Sequence, residues 1–82
     1  MPKVLSVDGF VVVIYFPPTE HGPAHVHVSK AGGSAVIILP LGRAKVEVRE
    51  SFGMSRADVR KAVAIVAANA DLLIVEWRKI HG

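Results

Sequence analysis

Three of the chain's four histidines fall within seven positions, in the stretch Glu20-His21-Gly22-Pro23-Ala24-His25-Val26-His27-Val28. Imidazole exchanges its proton near neutral pH, and its neutral nitrogen binds transition metals, so a cluster of this kind points to acid–base or metal chemistry. From Ala24 onward the stretch reads as a strand. Side chains on a strand alternate faces, which puts His25 and His27 on one side and sends Ala24, Val26 and Val28 into a core on the other. His21 precedes them on a loop bent by Gly22 and Pro23 and can fold back toward the pair.

Four readings of the cluster follow. As metal ligands, His25 and His27 converge on one ion, with His21 as a third ligand and Glu20 or water as a fourth; zinc, nickel and copper all accept such nitrogen-rich sets. This signature is weak, because no Cys or Asp accompanies the histidines. As catalysts, His25 and His27 supply the base and the acid of a metal-free RNA cleavage, with Arg43, Lys45 or Arg49 on the phosphate if their strand lies near His25. Small toxin ribonucleases share this layout, though not aligned residues. As a binding face, the two histidines with Tyr15 and basic neighbours dock a protein or a nucleic-acid backbone. The plainest reading has the histidines satisfying local backbone groups beside Glu20, with Pro23 fixing how the chain enters the strand. His81, next to the C-terminal glycine, suits the negative end of a helix and is expected to carry no catalysis.

The bulk properties narrow the setting. Eighty-two residues make one domain, 1–82, which buries only about 60% of its unfolded surface, so oligomerisation, a metal site or a well-packed helix must add stability. No cysteine is present, which excludes disulfides, thiolate metal sites and a cysteine nucleophile and fits the cytoplasm. With 51% hydrophobic residues the chain folds and carries more apolar surface than one small core hides. A formal charge of +3 favours an acidic partner such as nucleic acid as much as it favours none. No signal peptide and no membrane-spanning run is evident, so a soluble, intracellular protein is expected.

The elements that position the cluster are strands over 3–49 followed by helical sequence over 55–80. Lys3 to Val7 and Phe10 to Phe16 flank Asp8-Gly9, a two-residue hairpin turn. The unbroken apolar run Phe10 to Phe16 suggests a central strand covered on both faces, ended by Pro17-Pro18. Ala24 to Ser29 is the histidine strand, Lys30 to Gly33 a turn, Ser34 to Leu39 the next strand, and Pro40-Leu41-Gly42 a break. Arg43 to Arg49 alternates charged and apolar residues, as a half-exposed strand with a mostly basic outer face; the charges also guard a sheet edge. Glu50 to Met54 connects it to a helix that begins at Ser55, which with Asp58 approximates a capping box. Val59, Val63, Val66, Ala70, Leu73, Trp77 and Ile80 form one apolar stripe, which argues for one long helix to about Ile80, kinked near Asn69, ahead of two helices with Asn69 ending the first and capping the second. A single helix is longer than the sheet is wide and overhangs it or crosses at an angle. Ile65, Leu72, Ile74 and Val75 lie off the stripe and call for a second packing partner. A homodimer is the simplest, and a helix clamped between the sheet and its own N-terminal hairpin the alternative.

Met1-Pro2-Lys3-Val4, Asp8-Gly9-Phe10, Pro23-Ala24-His25-Val26-His27-Val28, Phe52-Gly53-Met54-Ser55 and Glu76-Trp77 together resemble a bacterial family known as domain of unknown function 4160. The Pro-x-His-Val-His-Val element is the most specific part, and the resemblance spans nearly the whole chain. Two departures stand out. Ala24 replaces the proline that usually precedes the first histidine, and the helical half is rich in Ala and Val where relatives carry Glu and Arg. The resemblance implies a second small protein as partner, in an arrangement similar to a toxin–antitoxin pair.

The expected molecule is therefore α+β, with a mainly antiparallel sheet of four or five strands packed on one long or two joined C-terminal helices. Its expected role is a small cytoplasmic interaction module, a homodimer or paired with another small protein, with a surface centred on His21, His25 and His27. The alternatives are a His-dependent ribonuclease or nucleic-acid-binding protein, and a protein that binds a divalent transition metal.

Overall fold

The computed structural model describes residues 3–15, 24–40 and 45–81. The loop residues Thr19 to Pro23, with Glu20 and His21, lie outside that set, as do Phe16 to Pro18, Leu41, Gly42, Ala44 and the candidate phosphate contact Arg43.

Two tight turns organise the first half. Asp8 and Gly9 both take positive φ, 50° and 82°, and join β1 (Lys3–Val7) to β2 (Phe10–Val13). Such a turn matches the twist of the strands it connects, and Gly and Asp are residues that tolerate it. Ala31 and Gly32, at 47° and 85°, join β3 (His25–Lys30) to β4 (Gly33–Ile38) in the same way. The last strand is β5 (Glu47–Phe52). All neighbours are antiparallel, and the order across the sheet is the order along the chain, β1-β2-β3-β4-β5.

One face of this sheet is the core. Val12 pairs with Val28, Val28 with Ala35, and Val26 with Ile37. These residues, with Phe10, Ile14, Ala24 and Leu39, are sealed from solvent together with Ala62, Ile65, Val66 and Leu73 of the helices. Sequence alone suggested that β2 is covered on both faces. On the core face Phe10 and Val12 are buried, while on the other face Val11 and Val13 are only half-buried, because the sealed core with Ala62, Ile65, Val66 and Leu73 lies on the Phe10 side.

The fifth strand also departs from expectation. The charged alternation of Arg43 to Arg49 suggested a strand with that span, followed by a connection. The strand instead runs to Phe52, and its pairing with β4 slips between Val36↔Glu50 and Ile37↔Val48. Arg49 is the extra residue of the resulting β-bulge, which breaks the phase of the alternation. Gly33 at the start of β4 lies so close to the chain beyond β5 that a Cβ there would stand 2.5 Å from the Gly53 carbonyl oxygen.

The helical half begins as the sequence suggested. The Ser55 hydroxyl accepts from the Asp58 N–H at 3.1 Å and caps α1 (Arg56–Ala68). Of the two readings of the apolar stripe, two joined helices is the one adopted. Asn69 closes α1, its N–H shared by the Ile65 and Val66 carbonyls and its side-chain amide donating back to Ile65 at 2.8 Å. Its own carbonyl accepts from Leu73 at 3.0 Å, so α2 (Ala70–His81) resumes the ladder at once. The layer is pinned near both ends: Lys30 reaches Asp58 at 3.5 Å beside the β3–β4 turn, and His81 reaches Tyr15 at the opposite end of the sheet. No helix among the described residues is long and apolar enough to cross a membrane.

Candidate functional site

His25 opens β3 opposite Ile38 of β4, and His27 pairs with Val13 on one side and Val36 on the other. Pleating places the two imidazoles on the same face, with ring centres 5.3 Å apart and planes at 65°. Their environments differ. His27 is half-buried, and the Tyr15 ring meets it edge-on at 4.3 Å. His25 is only 2% exposed.

Part of what covers His25 comes from the far end of the chain. The Trp77 indole lies 5.4 Å from the His25 ring at 50°. One helical turn on, His81 stacks on Trp77 with centres 3.8 Å apart and planes within 18°. The His81 Nε2 lies 2.9 Å from the Tyr15 carbonyl oxygen; a carbonyl only accepts, so the imidazole donates. Tyr15, His27, His25, Trp77 and His81 thus close a ring of contacts that ties the last turn of α2 to the ends of β2 and β3. Edge-on and offset aromatic pairs of this kind add about 0.5–1.5 kcal/mol each beyond the area they bury.

The other candidates stand elsewhere. Lys45 and Arg49 are exposed, on or beside β5, which β4 separates from β3. Two strand spacings amount to about 10 Å. Level with His25 in the ladder is Ile38 and then the acidic Glu47, not a cation. Among the described residues no group of three His, Cys, Asp or Glu side chains is arranged to hold a metal. His21 and Glu20, which completed the expected ligand set with His25 and His27, lie outside those residues.

Sequence reasoning missed His81 and the position of Trp77 beside the histidines. One signal was available: the two are four residues apart, so they share a helix face.

A model of a protein family described only as a domain of unknown function (DUF4160) matches residues 9–78. The chain belongs to the DUF4160 family. The match agrees with the resemblance carried by the Pro23 to Val28 element. Its span takes in Tyr15, His25, His27 and Trp77 and stops three residues short of His81. The family description assigns no activity, and neither the curated proteins nor the solved structures contain a match.

Proposed function

We propose that this member of the DUF4160 family is a small cytoplasmic interaction module that docks a second copy of itself through the outer face of its helices. The observation that carries this is the exposure of Leu72 at 45% and Val75 at 49%, one turn apart on α2. Ala64, Ala67 and Ala68 are exposed at the preceding turns of α1 and continue the same apolar strip. Bulky residues at one end and alanines at the other suit an antiparallel pair, in which Leu72 and Val75 of one copy fill the space over Ala64 and Ala68 of the other. A small protein partner, as in a toxin–antitoxin-like pair, is the alternative occupant. Sedimentation of the native chain and of the Leu72→Arg/Val75→Arg variant tests this. A native dimer that the variant reduces to a folded monomer supports the reading. A native monomer at concentrations of tens of micromolar rejects self-docking and directs the search to a heterologous partner.

A second reading is favoured by the spacing of the histidine rings. Two imidazoles on one tetrahedral ion, with metal–nitrogen bonds of about 2.0 Å, hold their ring centres about 5 Å apart, and His25 and His27 stand at 5.3 Å. A divalent transition metal held there, with His21 or Glu20 completing the set, would make the histidine face a metal site, whether for binding or for hydrolysis of RNA. Native mass spectrometry with zinc decides it. A one-ion mass increase that chelator or His25→Ala/His27→Ala removes supports the site, and an unchanged mass at equimolar zinc rejects it.

A further inference from the structure

We infer that the last turn of α2 is a strap closed over His25, and that the His81–Tyr15 hydrogen bond is its catch. The sheet itself does not bury this face. His27, two residues on and on the same side, is half-buried, as are Val13, Val36 and Ile38 around it. His25 differs in having the Trp77 indole against it. Trp77 is in turn backed by the stacked His81 ring, whose Nε2–H is held by a main-chain oxygen at 2.9 Å.

Among the described residues the strap has few other holds. Arg78 and Lys79 in the same turn are exposed, and Lys79 pairs within its own helix, with Glu76 at 3.1 Å. Among the described residues, Ile80 is the other apolar side chain of this turn that packs against the core. A terminal helical turn fixed by three side chains opens at far lower cost than the domain unfolds. Closed, it covers the side of His25 that faces Trp77; open, it bares that side of the ring. The state described is the closed one. This control of access goes beyond the docking reading and does not depend on it.

Deuterium exchange at the imidazole Cε1 positions, read by mass spectrometry, tests the strap. Backbone amide exchange at Val26 and Val28 serves as the measure of sheet integrity. In the native chain His25 exchanges more slowly than His27. In His81→Ala the His25 rate rises several-fold while the Val26 and Val28 amides keep their protection. His81→Gln, whose side-chain amide still donates to the Tyr15 carbonyl, returns the rate toward native. Should His81→Ala fail to fold, His81→Phe takes its place, because it keeps the stack on Trp77 and drops the donor. An unchanged His25 rate in the variant lacking the donor overturns the proposal. So does a rise matched by equal loss of protection at Val26 and Val28, or a glutamine variant as fast as the one lacking the donor.

Discussion

His25 and His27 are chemically the same residue on the same strand, yet a substitution asks a different question at each. His25 is enclosed by Trp77 and His27, so truncating it leaves a cavity against two rings. His25→Ala is expected to lower stability by about 2 kcal/mol and His27→Ala by less than about 1, measured by urea unfolding. An alanine scan that finds His25 essential and His27 dispensable would therefore report folding, whereas a loss of any binding or activity in His27→Ala at near-native stability would report function. Ala31 offers a second test. Its φ of 47° is one that a Cβ resists by about 1–2 kcal/mol. Ala31→Gly is expected to raise stability by about 0.5–1 kcal/mol, the strain relieved being partly offset by glycine's greater freedom when unfolded. The sharing of a face by His25 and His27 was legible from spacing alone. The burial of His25 was not, because it depends in part on Trp77, more than fifty residues away.

At the scale of the elements, the parts legible in sequence are those with local causes. Asp8-Gly9 makes its own turn, and Ser55 starts its own helix. Ser55→Ala removes the acceptor for the Asp58 N–H and is expected to cost about 1 kcal/mol, seen as a lower midpoint in thermal unfolding. Asn69 marked the junction of the helices, and its side chain ends the first by bonding back to Ile65. What was not legible is β5. Its bulge at Arg49 answers to β4 and has no mark in the charge pattern. The close approach of Gly33 to Gly53 is likewise a product of tertiary packing. Gly33→Ala is expected to destabilise by about 2 kcal/mol or more, since the obstructing atoms belong to the main chain and cannot swing aside. Gly32→Ala, which meets no atom within 4 Å, isolates the cost of positive φ and serves as its control.

Taken whole, the molecule has a sealed core on one side of its sheet and unfinished apolar surface outside it. Phe52 is 62% exposed at the end of β5, and Leu72 and Val75 stand on the outer helical face. A standard interface buries roughly 800 Å² on each partner, about a sixth of this chain's 4967 Å². Docking would therefore change its hydrodynamic and thermal behaviour together: the melting temperature of a dimer rises with protein concentration, that of a monomer does not. A rise across a hundredfold range in the native chain, absent in Leu72→Arg/Val75→Arg, is the expected outcome. The excess of apolar residues and the need for a second packing surface were legible in composition and in the off-stripe residues. Which of those residues face outward was not, since Ile65 is buried and Leu72 is not.

The strictly sequential strand order also bears on how the chain acquires its structure over time. Each strand pairs with the one made just before it, so the sheet assembles through short loop closures and its contacts stay near the diagonal of the sequence. Folding is expected on the millisecond scale or faster. The residues that close over Phe10, Val26 and Ile37 come last, however, from Ala62 onward. The sheet is therefore made before the residues that cover its apolar face. A fragment ending before Ser55 would be a sticky sheet, and protection from aggregation arrives only with the helices that follow it.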